Sequence, residues 1–291
     1  MSAKKSMILL ISLLLFISLN NQSRAKEKIL QEMSWVNVQE YLKTDDMVII
    51  PLGSTEQHGP HLPLGTDFYQ AFEMCKMVSD QTGVVVAPVL LAGYSVYHSG
   101  FPGTLSLKPE TMEQVLFETA EMLIKYGFRK IMFFNYHGGN NIVQQKVIHR
   151  INHTTEAVAI AIGLGGPIQK SGGGEFFDWH AGKGETSNML YVKPDLVRKY
   201  LIKNPKITFT PRVQRLYELS KNFPELSNVA GLYLGVPVET KKGGASHELS
   251  SNGIWSFSDV KSASKELGEK NIKRMVNAAV KFINAWTQAE K

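Results

Sequence analysis

The sequence predicts an α/β fold, a single mostly parallel sheet with helices on both faces, on three observations. Short β-branched-rich runs alternate with segments of helical periodicity, and the connections between the runs are long enough for parallel crossovers. Polar clusters follow the runs at their C-terminal ends, where sheets of this kind gather ligands.

Taken in order, Ser34–Leu42 reads as a short helix with Ser34 as its N-cap, leading into the buried strand Met47–Ile50. Phe68, Ala71, Phe72, Cys75 and Val78 recur at helical spacing, so Phe68–Gln81 reads as a helix that Asp67 opens as a possible N-cap. Val84–Val89 is a second strand, followed by a Gly- and aromatic-rich loop from Gly93 to Thr104 that suits a pocket wall. Pro109 in the first turn and Gly127 past the end bracket a helix to Tyr126. Ile131–Phe134 and Ala157–Ile162 are the next strands, with a helix over Ile142–His149 between them. Glu185 opens a short helix through Tyr191, Lys193–Gly231 is charged and without clear pattern, and Ser258–Ala289 closes the chain as one long or broken surface helix.

The chain has 291 residues, 43% of them hydrophobic, enough for one sizeable core. Residues 1–25 are expected to leave it. Lys4 and Lys5 precede the apolar run Met7–Leu19, and Ser23-Arg24-Ala25 offers small residues where a signal peptidase reads, so cleavage after Ala25 and export to the periplasm or beyond are expected. A run of thirteen residues is short of the roughly 20 a membrane-spanning helix needs. Residues 26–291 are then read as one catalytic domain. Of the net charge of +6, Lys4, Lys5 and Arg24 account for three, with no acid among them, which leaves +3 and no basic stripe for nucleic acid. The single cysteine, Cys75, excludes an intrachain disulfide scaffold, and no Gly-x-Ser-x-Gly elbow occurs.

The chemistry-bearing residues lie in three polar stretches. The segment after the first strand, from Pro51 to Asp67, sets Glu56, His58, His61 and Asp67 among glycines and prolines. In extended backbone, Glu56 and His58 fall on one face. His137 follows the Ile131 strand, with Gly138 and Gly139 turning the chain behind it. The third stretch, Asp178 to Ser187, carries His180 and Glu185. Taken singly, a His or Glu is usually solvated or a satisfied core residue; the clustering is what favours a metal site. Carboxylate and imidazole without thiolate suit Zn²⁺ or Mn²⁺, and two such cations around an activated water lead to hydrolysis. His61 is left open between bonding its own loop and reaching the site. His98, Asp178 and Trp179 are candidate pocket residues, while His149 and His153 read as solvated and His247 as unsupported.

The segments Gly53-Ser54-Thr55-Glu56-Gln57-His58-Gly59-Pro60-His61-Leu62-Pro63-Leu64-Gly65-Thr66-Asp67, Phe101-Pro102-Gly103-Thr104, Asn135-Tyr136-His137-Gly138-Gly139-Asn140 and His180-Ala181-Gly182-Lys183-Gly184-Glu185-Thr186-Ser187 resemble, in this order, those of the creatininase (creatinine amidohydrolase) family, with a weaker likeness at Ser264–Gly268. The resemblance implies a three-layer α/β/α fold, homo-oligomers, commonly hexamers, and a dinuclear metal-dependent hydrolase of a non-peptide amide-type C–N bond in a cyclic amide or formamide. By position, Glu56 and His137 would bind one metal, His58 the other, and Asp67 both, with metal-bridged hydroxide as nucleophile and His180 as general acid. Creatininase itself carries a metal-binding Glu two residues after the histidine that corresponds to His137; Gly139 stands there, and Glu185 is the substitute ligand, the alternative being that Glu185 orients a ligand rather than binding metal. A lactone or cyclic ketone hydrolase using the same metals is the nearest alternative, and a periplasmic binding protein without turnover is the alternative of another class.

Overall fold

In the computed structural model, residues 29–89, 92–163 and 178–290 are described. The proposed signal segment, residues 1–25, lies outside them.

Helix α1 (Trp35–Leu42) begins as expected at Ser34, whose side chain accepts the Asn37 N–H while the Asn37 side chain accepts the Ser34 N–H. Strand β1 (Met47–Leu52) is buried along its whole length and leads, through the first polar loop, to α2 (Thr66–Thr82). Strand β2 is only Val85–Val86. The expected extension to Val89 fails because Pro88 has no N–H to give the ladder. After β2 come α3 (Pro109–Tyr126), β3 (Lys130–Asn135), α4 (Asn141–Thr154) and β4 (Val158–Ala161). Helix α4 outruns its expected end at His149 because Val143, Val147 and Ile151 keep one buried edge through its last turn.

The sheet order is β2-β1-β3-β4, all parallel. Period-two alternation divides its side chains between two cores. Val48, Ile50, Leu52, Ile131 and Phe133 face α3 and α4. Met47, Ile49, Met132 and Phe134 face α2 and the last helix. The layering is therefore α/β/α, and each fully buried branched or aromatic side chain contributes roughly 1.5–3 kcal/mol.

Beyond β4, the described chain forms β5 (Asp178–His180), α5 (Lys183–Val192), α6 (Pro211–Ser220), α7 (Leu226–Gly231), α8 (Ser246–Leu249), β6 (Trp255–Ser256) and α9 (Lys265–Ala289). Strands β5 and β6 pair antiparallel as a separate ribbon. The patternless Lys193–Gly231 thus holds two short helices whose residues are mostly exposed. The closing helix starts at Lys265 rather than Ser258, because a 3-10 turn at Val260–Ser262 intervenes and Ser264 caps Leu267 N–H. Helices α9 and α5 touch at Gly268, where an added Cβ would lie 1.9 Å from the Ser187 carbonyl oxygen.

From β1 the chain crosses to β2 on one side and then to β3 on the other. The C-terminal ends of β1 and β3 therefore flank the point where the winding reverses, and that crevice is where an open α/β sheet binds its ligand.

Candidate functional site

Two loops leave that crevice and are tied together. Gly53 lies against the start of α2, with an added Cβ 2.4 Å from Phe68 N, so the loop doubles back and brings Asp67 beside the residues that follow β1. Asn140 donates from Nδ2 to the Gly53 carbonyl at 2.9 Å, and Asn135 clamps the His137 backbone through its N–H and its carbonyl. The third contribution comes from the β5–α5 connection. There Ala181 adopts a left-handed φ of 51°, an uncommon conformation for a residue with a Cβ, and its N–H donates to Glu185 Oε2 at 2.6 Å.

These loops converge. His58 Nε2 stands 3.0 Å from Asp67 Oδ1 and 3.7 Å from Glu185 Oε2. His137 Nδ1 stands 3.0 Å from Asp67 Oδ2, and its Nε2 stands 3.3 Å from Glu56 Oε2. Among the described residues, three overlapping groups have ligand atoms close enough to share a cation: Glu56–Asp67–His137, His58–His180–Glu185 and Glu56–His98–His180. Asp67 touches both His58 and His137 with different oxygens, the placement a bridging carboxylate needs.

The interior is nearly dry: Glu56 and Asp67 are 1% and 2% exposed, and neither Glu56 oxygen has a hydrogen-bond partner of good geometry. A carboxylate so placed costs several kcal/mol unless a positive charge compensates it. The orphaned oxygens, within a donor set of only N and O, fit hard or borderline divalent cations.

Burial would raise the Glu56 carboxyl, but the neighbouring His137 and His98 imidazoles together hold it below its ordinary value. For His58, burial acts downward, yet Asp67 and Glu185 override it and raise the imidazole to about 10. Against the same burial, Glu56 and Asp67 raise His137 to about 9. Glu185 goes up to about 8, chiefly by burial. His180 moves the other way, well below the ordinary imidazole value, through burial and the neighbouring His98 and His58. Its Nε2 lies 2.6 Å from the Gln57 carbonyl, which only accepts, so Nε2 carries the proton and Nδ1 is bare, 3.6 Å from Glu56 Oε1. The 2.9 Å approach of the Gln57 amide nitrogen to the same Nε2 then joins two donors and is no bond.

The structure thus brings together Glu56, His58, Asp67, His137, His180 and Glu185. Asp67 does not cap α2: Gly65 holds that position, and the Asp67 carboxylate is taken by His58, His137 and the Ser54 hydroxyl at 2.7 Å. His98 is buried within the cluster. Trp179 is 38% exposed and packs edge-on against Trp255 at 3.7 Å between ring centroids. Asp178 accepts from Gly184 N–H at 2.7 Å and from the Ser256 and Ser258 hydroxyls, so it braces the start of α5. His61 lies one shell out, 2.8 Å from the Thr186 hydroxyl, and burial with the His58 charge lowers it to about 4. His247 packs on Gly100, where an added Cβ would lie 1.9 Å from its Nδ1. Sequence reasoning passed over Ser54, Gln57, Tyr97 and Ser246, of which the first two lie inside a motif already singled out.

The family profile of creatinine amidohydrolase matches residues 31–283. The chain belongs to the creatininase family. A mycofactocin precursor peptide peptidase of Mycolicibacterium smegmatis is 39% identical over 163 residues, 51% of this chain and 59% of that protein. A 3-dehydro-scyllo-inosose hydrolase of Thermotoga maritima is 36% identical over 135 residues, 46% of this chain and 43% of that protein. The chain thus spans about half the length of these two relatives. A solved creatininase of Zn-Zn type superposes with a TM-score of 0.68 at 24% identity, over 89% of this chain and 98% of that one, which shows that the fold is the creatininase fold. Within it, position 139 has no room for a side chain: a Cβ there would lie 2.1 Å from the Tyr94 carbonyl, 2.6 Å from His137 Nε2 and 2.8 Å from the Tyr97 hydroxyl oxygen.

Proposed function

We propose that this creatininase-family chain is an exported, dinuclear metal-dependent amidohydrolase that cleaves an amide-type C–N bond in a small cyclic amide or formamide. The observation that carries the reading is the buried Glu56 carboxylate, met by imidazoles but without a well-formed hydrogen bond, at the meeting of Glu56–Asp67–His137 with His58 and Glu185. One Zn²⁺ or Mn²⁺ would be held by Glu56, His137 and Asp67, the other by His58, Asp67 and Glu185. Two such ions supply Lewis acidity toward a carbonyl and make water a competent nucleophile near neutral pH.

The protein's own part centres on His180. With its Nε2 proton held by the Gln57 carbonyl, bare Nδ1 takes a proton from the attacking water and passes it to the departing nitrogen, so it is a base before it is an acid. Trp179 offers an apolar wall to a flat substrate. Export is supported by the basic start and apolar run of residues 1–25, and a homo-oligomer, hexameric by family likeness, is the expected assembly.

The test is metal content by mass spectrometry for wild type and His180→Ala, together with hydrolysis of cyclic amides, formamides, a short peptide amide and sugar-derived cyclic ketones. Wild type should hold two equivalents, and the variant should keep them while losing at least about 100-fold in turnover. A metal-free wild type after reconstitution would sink the proposal. The relative named as an inosose hydrolase favours one second reading, hydrolysis of a cyclic ketone or lactone, for which no amine or ammonia would be released.

A further inference from the structure

His98 is a buried imidazole without a part in the chemistry above, and the groups around it fix where its proton sits. Gly59 N–H donates to Gln57 Oε1 at 2.9 Å, and Gly253, whose φ of 71° suits a glycine, packs so closely that an added Cβ would lie 2.2 Å from that oxygen. The Gln57 amide is therefore oriented with Nε2, a pure donor, toward His98 Nδ1 at 3.1 Å. The Ser246 hydroxyl reaches the same Nδ1 at 2.5 Å. Nδ1 is thus an acceptor, the ring proton is on Nε2, and Nε2 stands 3.2 Å from Glu56 Oε1, in contact with it though outside good hydrogen-bond geometry.

We propose that His98 is a positioning residue for Glu56: fixed as the Nε2–H tautomer by Gln57 and Ser246, it engages Oε1 and leaves Oε2 as the oxygen that meets a divalent cation beside Asp67 and His137. The inference rests on the metal-site reading above and adds to it a one-oxygen mode for Glu56 and a link to a segment far away in the chain. The rival arrangement is a cation held by Glu56, His98 and His180 themselves. It requires a bare Nε2 on His98, which the Gln57 amide at Nδ1 opposes, because a second donor on that side leaves the proton nowhere else to go.

Cobalt(II) titration of the metal-free full-length protein, read by visible absorption and by competition with a chromophoric chelator, separates the two. Wild type and His98→Ala should both bind two equivalents. In His98→Ala one of them should be weaker by about 10- to 100-fold with an altered absorption band, the usual cost of removing a group that orients a ligand. His98→Gln, which can return an N–H to Oε1, should recover most of the loss, and Ser246→Ala should move the band in the same direction by a smaller amount. Loss of one full equivalent in His98→Ala would make His98 a ligand and overturn the proposal; so would an unchanged affinity and band. Should His98→Ala fail to fold, Ser246→Ala keeps the buried ring and decides alone, an unchanged band refuting the tautomer argument. A wild type that binds no cobalt would end the metal reading itself, whereas a wild type that binds two with indifferent variants would end only this inference.

Discussion

Metal binding to this site should release protons, in a number the structure sets. His58 is raised from the ordinary 6.5 to about 10 and His137 to about 9, each by carboxylates it would have to share with a cation. At pH 7 both imidazoles of the metal-free protein carry a proton that a ligating nitrogen must give up. Withdrawing both at that pH costs roughly 7 kcal/mol at about 1.4 kcal/mol per pH unit. Glu185, raised to about 8 and a ligand in the same reading, must give up a third, so the apparent affinity for the pair of ions should rise about 1,000-fold per pH unit below pH 8, about 100-fold between 8 and 9, about tenfold between 9 and 10, and flatten above. Calorimetric zinc titration at pH 7, in buffers of different ionisation enthalpy, should report about three protons released per pair of ions, from His58, His137 and Glu185. Release of none, or affinity constant from pH 6 to 8, would refute the assignment of these histidines to the metal.

The same shifts carry a sign for stability. Both folded-state values lie above the ordinary 6.5, so the stabilisation from these pairs is complete below about pH 6.5 and is lost as pH rises through about 9 and 10. The melting temperature of the metal-free protein should fall across that alkaline window. With metal bound, the imidazoles no longer titrate there and that decline should vanish.

Two further substitutions test the framework. Gly139→Ala should lower stability by about 1–3 kcal/mol, because its Cβ cannot avoid the Tyr94 carbonyl, and should weaken metal binding through His137; a melting temperature and zinc affinity equal to wild type would mean that the β3 loop yields freely. Asp178→Ala should cost about 1 kcal/mol by uncapping Gly184 N–H at the start of α5, with Asp178→Asn restoring part of it. A thermal melt follows both, and a loss of substrate affinity with unaltered stability would instead make Asp178 a pocket residue.

How legible the site was depended on how its residues are distributed along the chain. Glu56, His58 and Asp67 share one loop, and His137 and His180 each sit beside glycines, so their chemistry was visible as local clustering of ligand types. The sheet was legible for a similar reason: β1 and β3 are buried on both faces and read as continuous apolar runs. What local pattern could not give was competition for one group by several partners. Asp67 resembles an N-cap by position, yet two imidazoles and a hydroxyl compete for it more strongly than a helix terminus does, and the Asp178 carboxylate is engaged by three donors, Gly184 N–H and the Ser256 and Ser258 hydroxyls.

The contact of Ser246 with His98 shows the limit most clearly, since it joins residues 148 positions apart and neither belongs to a cluster of its own. Its location explains why such a partner is needed. At the crevice where the winding reverses, the β1 and β3 loops can be braced by each other, as Asn140 braces Gly53, whereas Glu56 Oε1 meets His98 from the loop that follows β2. His98 is in turn held by Gln57 of the β1 loop and by Ser246, which opens α8 after α5 in the chain. A residue with no ligand chemistry of its own thus completes the positioning of the most readable one, because what Ser246 contributes is packing and reach.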